Sequence, residues 1–226
     1  MADWGHRKIV EHYEACLARH GDSHLGVDWP RKVDAERRYD VMLGLIRPEH
    51  HAQDESVSLL DFGCGAGHLF EHLTRRGVGQ IRYTGLDLSE QFVSLCRGKH
   101  PEVDFLCADI LNDSSVAALP GFDYIVANGV FTEKRELSFD AMLEYFSATI
   151  LRLFSLTGVG LAFNLMSTQV DWERDDLFHV PLDTVANILA KNLSRHFIVR
   201  NDYGLYEYSV YVYREPTAWP RLLSSV

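Results

Sequence analysis

The chain has 226 residues, of which 46% are hydrophobic, and a formal net charge of -10. This composition is typical of one well-buried globular domain. An acidic chain lacks the clustered Lys and Arg that bind a phosphate backbone, so we expect no nucleic-acid partner. There is no apolar run of about 18 residues or more, and no early stretch has the pattern of a secretory leader, so we expect a cytoplasmic protein with no membrane partner.

Two helices are predicted ahead of the first strand. Apolar residues recur at helical spacing within residues 3–20, and Pro30 can open a second helix that runs through residues 34–46. A polar, glycine-bearing link, residues 21–30, separates the two. We therefore treat residues 1–47 as an N-terminal helical cap that belongs to the same domain as the rest of the chain.

The segment SLLDFGCGAGHLF, residues 58–70, predicts a buried strand, a glycine loop and a helix. Gly63, Gly65 and Gly67 let the backbone turn tightly and approach a ligand closely. A dinucleotide-binding loop that begins at Gly63 and Gly65 needs its third glycine at position 68, where this chain has His68. The loop therefore favours a nucleotide-like cofactor other than NAD, placed at the amino end of the following helix.

Three further predicted strands end in polar residues at regular intervals. The strand within residues 82–89 ends at Asp87, about 20 residues after the glycine loop, where a carboxylate can accept hydrogen bonds from ribose hydroxyls. A third strand ends at Asp109, and a fourth ends at Asn128 and Gly129. Each of these residues taken singly could be a turn residue or a helix cap, so the prediction depends on their common order.

The second half of the chain continues the alternation. It predicts a helix over 139–154, an apolar strand over 158–167, a helix over 182–196 and two final strands on either side of residues 203–205. Five strand–helix alternations followed by two strands predict an α/β fold. Its core is a doubly wound, mostly parallel, seven-stranded sheet with an antiparallel C-terminal strand. Ligands bind such sheets at the carboxyl edge of the strands.

The string DFGCGAG, residues 61–67, resembles the first motif of class I S-adenosylmethionine (SAM)-dependent methyltransferases. The other strand ends follow in that family's order, and the whole chain is similar to small stand-alone bacterial members. The resemblance implies that residues 48–226 form a Rossmann-like SAM-binding domain, that residues 1–47 cap the cofactor, and that S-adenosylhomocysteine is the product. The cofactor-binding residues expected from the motifs are Asp61, Gly63, Cys64, Gly65, Gly67, Asp87, Leu88, Asp109, Ile110, Asn128 and Gly129.

Two more cofactor contacts are expected from the cap. A sulfonium is a cation and is favoured over an aromatic face, which Trp29 could supply from its loop. Arg38, on the second helix, could reach the carboxylate of SAM, although a solvent-facing arginine is an equally good interpretation.

Candidate catalytic residues follow the fifth strand or lie near the last two. His179 is the best candidate base, because an imidazole titrates near neutral pH. Asp171, Asn164 and Tyr203 are expected nearby. The alternatives are a core histidine, a solvated charge run and a loop aromatic, and positioning of the acceptor alone can suffice for methyl transfer.

The cysteines form no CxxC pair, so we expect reduced thiols, with Cys64 a small loop residue rather than a nucleophile. His68 and His72 lie one helical turn apart, but the sequence shows no matching cluster of thiolates or carboxylates. We therefore expect no metal site.

Three functions remain open at this point. The favoured one is methyl transfer from SAM to an oxygen or nitrogen of a small metabolite. The second is a SAM-consuming enzyme that does not methylate: intramolecular cyclisation or aminocarboxypropyl chemistry releases methylthioadenosine. The third is a non-enzymatic SAM-binding regulator, and a homodimer is compatible with all three.

Overall fold

The computed structural model describes residues 5–51, 56–77, 80–113, 116 and 119–217. The strands are β1 Val57–Phe62, β2 Ile81–Asp87, β3 Asp104–Cys107, β4 Phe122–Ala127, β5 Thr157–Met166, β6 His196–Arg200 and β7 Glu207–Tyr213. The helices are α1 Arg7–His20, α2 Lys32–Leu43, α3 Pro48–His51, α4 His68–Arg76, α5 Glu90–Lys99, α6 Phe139–Ser155 and α7 Leu182–Asn192.

The seven strands form one sheet in the order β3-β2-β1-β4-β5-β7-β6. Strands β1 to β5 pair in parallel, and β7 runs antiparallel to both β5 and β6. This confirms the predicted mostly parallel sheet with an antiparallel C-terminal strand. The C-terminal strand β7 lies inside the sheet, because it pairs with both β5 and β6, and β6 is the edge strand.

Three predicted elements differ from the structure. The second helix ends at Leu43, and α7 ends at Asn192, each a few residues earlier than the sequence pattern indicated. The five predicted strand–helix alternations imply a helix between β3 and β4, but the described residues of that connection form no α-helix. There Asp109 accepts hydrogen bonds from the backbone N–H groups of Leu111 and Asn112 instead, which favours a turn. The short helix α3 was not predicted.

Alternate residues of the central strands supply the two faces of the core. Leu60, Ile125 and Phe163 point to the layer that contains α6 and α7. Leu59 and Tyr124 belong to the opposite cluster, together with residues of α2, α4 and α5. This alternation is what a sheet covered on both faces requires.

The helix α6 has the apolar face that its sequence pattern indicates. Met142, Phe146, Ile150 and Phe154, spaced for one helical face, are all buried against the sheet as predicted. The helix α5 begins at a serine, as helices commonly do, and the Ser89 hydroxyl accepts a hydrogen bond from the backbone N–H of Phe92. None of the described helices is both long enough and apolar enough to cross a membrane.

Candidate active site

The glycine loop after β1 is held by the end of β2. The backbone N–H groups of Gly63 and Cys64 donate to the carbonyl of Leu86 at 2.7 and 3.2 Å, and the N–H of Gly65 donates to the Asp87 carboxylate at 2.9 Å. Gly63 has a φ of 73° and a side-chain carbon there would lie 2.5 Å from Val130. Only glycine fits a position that combines this backbone conformation with so close a neighbour.

One pocket lies at the carboxyl ends of β1, β2 and β4. Of the predicted cofactor residues, it is lined by Asp61, Gly63, Cys64, Gly65, Asp87, Leu88, Asp109, Ile110, Asn128, Gly129 and Trp29. The structure thus brings together most of the residues selected from strand ends and the cap. The sequence analysis missed other lining residues, among them His6, Ile9, Val10, Tyr13, Val27, Tyr39, His68, Ser89, Phe92 and Tyr145.

The first helix lies over this pocket. Its Tyr13 hydroxyl is 3.5 Å from the carbonyl of Gly129, and Glu14 accepts a hydrogen bond of 2.5 Å from the hydroxyl of Ser89. His6, just before α1, lies with its Nε2 3.5 Å from the carboxylate of Asp109. These contacts join α1 to the polar ends of β2, β3 and β4. The apolar spacing that predicted α1 could have indicated which face is buried, but not that this face covers the site.

The link between α1 and α2 closes a second side of the pocket. The indole of Trp29 packs on Gly129, where a side-chain carbon would lie 2.6 Å from the ring. Gly129 has a φ of 79°, so both its conformation and its neighbour require glycine. The far end of the link is fixed by Asp22, which lies 2.8 Å from both His68 and Lys99.

The second predicted cap helix has a different position. Most buried residues of α2, such as Ala35 and Met42, pack in the core on the face of the sheet, and among its residues only Tyr39 lines the pocket. The covering segment is therefore α1 together with residues 21–31, and α2 is largely part of the core.

The pocket is acidic. It is lined by the carboxyl groups of Asp61, Asp87 and Asp109, and no Lys or Arg is among its described lining residues. Burial raises the pKa of Asp61 to about 7; the hydrogen bond from Tyr83 acts in the opposite direction, and the charge of Asp87 adds to the rise. Burial also raises the pKa of Asp87, although backbone N–H groups stabilise its carboxylate. At Asp109 burial is outweighed by hydrogen bonds, and the pKa is lowered.

One buried acceptor in the pocket has no partner. The side-chain oxygen of Asn128 makes no hydrogen bond to any described residue. Leaving such a group buried and unpaired costs about 1–3 kcal/mol, so a ligand that donates a hydrogen bond here is favoured. An ammonium group beside Asp61 and Asn128 would satisfy both the charge and the orphaned oxygen.

Two predicted residues contribute indirectly to the site. Arg38 does not line the pocket, because its guanidinium forms hydrogen bonds of 2.8–2.9 Å to the buried carboxylate of Glu207 and stacks on Trp29 at 4.1 Å. Asn164 lies within β5 and also donates to Glu207, while its oxygen accepts the N–H of Gly129 at 2.7 Å. Arg38 therefore helps to position Trp29, and Asn164 helps to position Gly129.

The remaining predicted residues lie outside the pocket. Tyr203 is buried beside Glu207 and Ser209. His179 donates a hydrogen bond from Nδ1 to the carbonyl of Ser167 at 2.7 Å and accepts one at Nε2 from the backbone N–H of Arg174. Both ring nitrogens are therefore hydrogen-bonded to backbone groups. Asp171 is exposed in the following loop. Gly67, with a φ of 77°, immediately precedes α4 and forms the end of the glycine loop.

The two histidines of α4 face different partners. His68 pairs with Asp22 and His72 pairs with Asp40, each at 2.8 Å. They therefore do not share a ligand set. All four cysteines are free thiols, as expected.

Comparison with known proteins agrees with this geometry. Residues 59–149 match the family model described as Methyltransferase domain. A Mycobacterium tuberculosis protein, named as a methyltransferase with no substrate specified, is 28% identical over 163 residues, which cover 70% of this chain and 93% of that protein. The malonyl-[acyl-carrier protein] O-methyltransferase of Halalkalibacterium halodurans is 30% identical over 110 residues, 46% of this chain and 40% of that enzyme.

The same class appears among solved structures. Magnesium protoporphyrin IX methyltransferase from Synechocystis PCC 6803, crystallised with bound SAM, has a TM-score of 0.64 and 16% identity to this chain. The match covers 95% of this chain and 99% of that one. These comparisons support methyl transfer with SAM and lend no support to the non-methylating and non-enzymatic alternatives. The chain therefore contains a methyltransferase domain over residues 59–149, and its fold is that of SAM-dependent methyltransferases.

Proposed function

We propose that SAM occupies the pocket between the glycine loop and α1, and that the enzyme transfers its methyl group to an oxygen or nitrogen of a small metabolite. The observation that carries this proposal is an acidic, glycine-lined pocket at the carboxyl edge of the sheet that the chain's own first helix covers. A covered pocket suits a cofactor that is held while a small acceptor enters beside it.

The charge of the pocket suits SAM. The cofactor carries a sulfonium and an ammonium but one carboxylate, so its net charge is positive, whereas the pocket is lined by three aspartates and by no described Lys or Arg. In this arrangement Asp87 accepts hydrogen bonds from the ribose hydroxyls, and Asp109 and Ile110 border the adenine. Asp61 and the unpaired oxygen of Asn128 face the ammonium group.

The cover restricts the acceptor. Tyr13 and Trp29 both contact Gly129, so α1 and residues 21–31 cover the pocket beside the end of β4. A rigid duplex or a large folded partner would have to displace these contacts. A small hydroxyl or amine compound needs only a narrow route, and positioning in line with the methyl group supplies much of the rate enhancement.

The cofactor assignment is tested by replacing Asp87. In Asp87→Ala, SAM binding measured by calorimetry should weaken by about 1.5–3 kcal/mol, since a charge-assisted hydrogen bond to the ribose is lost. Asp104→Ala is the matched control, because Asp104 is an exposed aspartate of β3 away from the pocket. Unchanged SAM affinity in Asp87→Ala would mean that the ribose lies elsewhere.

The covering segment is tested with Trp29→Ala. We expect lower methyl-transfer activity with the circular dichroism spectrum retained, and slower protease cutting within residues 20–31 of the wild-type enzyme when SAM is added. Full activity in the variant, with cutting that SAM does not slow, would show that the segment has no role in closing the site.

The acceptor class is tested by product analysis. The enzyme is incubated with SAM alone and with pools of small alcohols, phenols and amines, and the released purine is identified. S-adenosylhomocysteine that forms only with an acceptor supports the proposal. Methylthioadenosine from SAM alone would contradict it, and transfer only to a carbon acceptor would correct the target atom.

A further inference from the structure

A second group of polar side chains lies in the covering segment. It consists of His12, Cys16 and Asp28, with Glu133 beside His12, and we name these four residues the His12 cluster. His12 and Cys16 are one helical turn apart on α1, Asp28 is in the link that follows, and Glu133 follows β4. None of these side chains lines the cofactor pocket.

The distances converge on one atom, Nε2 of His12. The carboxylate of Asp28 is 2.8 Å from it, the sulfur of Cys16 is 3.7 Å away, and the carboxylate of Glu133 is 3.7 Å away. A ring nitrogen can donate one hydrogen bond, so the ion pair with Asp28 alone satisfies it. That pair does not account for a thiol and a second carboxylate at the same point.

These separations are close to those of a tetrahedral zinc site. With Zn–N of about 2.0–2.1 Å and Zn–S of about 2.3 Å, tetrahedral geometry separates the nitrogen and sulfur by roughly 3.6 Å. The observed distance between His12 and Cys16 is 3.7 Å. The ligand atoms of His12, Cys16 and Asp28 all lie within 4.8 Å of one another. Asp28 and His12 are now at hydrogen-bonding distance, whereas two ligands of one zinc ion lie farther apart. The Asp28 carboxylate must therefore move away from His12 by about 1 Å or less.

The donor set also selects the ion. The nitrogen of His12, the sulfur of Cys16 and the carboxylate of Asp28 suit Zn²⁺, with the Glu133 carboxylate or a water as the fourth ligand, whereas Mg²⁺ and Ca²⁺ prefer oxygen ligands alone. Arg19 lies 3.5 Å from the sulfur and Arg135 lies 3.3 Å from Glu133, so two cations already border the cluster. When the ion has displaced the thiol proton, the thiolate and both carboxylates together carry three negative charges, more than the two arginines supply.

We propose that the His12 cluster is a Zn²⁺ site. On binding, a Zn–S bond forms, and the thiol of Cys16 loses its proton to solvent. The carboxylate of Asp28 is 38% exposed, which provides a route for the ion to enter. Cys16 is buried at 3% exposure, as suits the innermost ligand.

The site connects three parts of the cover. It joins α1, the link that carries Trp29, and the turn after Gly129, so a bound ion fastens the covering segment to the sheet. The ligands lie in separate stretches of chain, and their closure by one ion stabilises the closed arrangement. This inference concerns metal binding without SAM, so its failure leaves the proposed methyl transfer untouched.

The test uses full-length protein freed of metal with a chelator and then dialysed. Zn²⁺ alone is titrated in competition with a chromophoric chelator, and Co²⁺ serves as a spectroscopic probe. We expect one Zn²⁺ per chain and, with Co²⁺, a thiolate charge-transfer band together with the visible absorption of tetrahedral cobalt. In Cys16→Ser the charge-transfer band should disappear and Zn²⁺ affinity should fall by at least about 100-fold, because a direct ligand is lost and removal of an outer-shell partner alone costs about 10–100-fold.

Two more variants keep the test decisive if one variant folds poorly. Asp28→Asn and Glu133→Gln should each weaken Zn²⁺ binding, and Cys107→Ser, which changes a cysteine outside the cluster, should leave it unchanged. Absence of stoichiometric Zn²⁺ binding by the wild-type chain would overturn the proposal. So would equal binding by wild type, Cys16→Ser and Asp28→Asn, because the ion would then have other ligands.

Discussion

Replacing Asp61 with asparagine should change how the stability of the SAM-free enzyme depends on pH. Asp61 is a buried carboxyl of β1 whose oxygen accepts a hydrogen bond of 2.6 Å from Tyr83. Burial, opposed by this hydrogen bond and reinforced by Asp87, raises its pKa from the usual 3.8 to about 7. The folded chain therefore holds a proton that the unfolded chain releases between these two pH values.

The sign follows from linkage. Because the folded state binds the extra proton, stability from this group is fully present below about pH 4 and is lost as the pH rises through about 7. At about 1.4 kcal/mol per pH unit, the full effect is several kcal/mol, of which roughly 2–3 kcal/mol falls between about pH 5 and about pH 8. The asparagine side chain does not ionise in this range. The unfolding free energy of Asp61→Asn minus that of the wild type should therefore increase by roughly 2–3 kcal/mol over this range.

The assay is urea unfolding at the two pH values, followed by circular dichroism. Asp104→Asn is the control, since it removes the charge of an exposed aspartate on β3. If Asp61→Asn and the wild type lost stability in parallel between the two pH values, Asp61 would be ionised in the folded protein throughout. The argument from burial would then be wrong.

Two other predictions concern the contacts behind the pocket. Arg38→Met should destabilise the fold by about 3–5 kcal/mol in urea unfolding, because it leaves the buried carboxylate of Glu207 without its cation; adding Glu207→Gln should recover much of this loss, and no recovery would show that the charge is not the cause. Gly129→Ala should cost about 1–2 kcal/mol for its positive φ alone. It should cost more in the wild type than in a Trp29→Ala background, where the ring 2.6 Å away is absent; equal costs in both backgrounds would mean that the ring moves aside freely.

Most of the sheet was predictable because its signals are local. An apolar run, a glycine loop or a cap such as Ser89 lies within a few residues of what it determines. The carboxyl ends of parallel strands meet at one edge, so Asp61, Asp87 and Asn128 could be placed together before their contacts were known. The predicted helix between β3 and β4 was the main local error, since polar turn residues such as Asp109 bond to their own backbone there.

The catalytic candidates could not be placed in this way. His179 follows β5, which ends at the ligand-binding edge of the sheet. Both of its ring nitrogens are hydrogen-bonded to backbone groups, and these bonds depend on how the loop after β5 folds back. Arg38 had the right charge and helix for a cofactor contact, yet the distant Glu207 takes its guanidinium. The partner of Arg38 is far away in sequence, whereas the partners of His179 lie within its own loop, whose path the sequence pattern does not give.

The sequence by itself determined the α/β class, the order of the strand ends and the glycine loop that lines the pocket, because each depends on short-range propensity and hydrophobic periodicity. The sequence also indicated an N-terminal cap, but only the tertiary structure decided which part of it covers the pocket and how burial changes the pKa values of the groups inside. Tyr13 and Trp29 both meet Gly129, and His12 meets Glu133, although each pair is far apart along the chain. The pKa of Asp61 depends on burial from several elements at once. Such contacts arise from the packing of separate elements, and no local pattern encodes them.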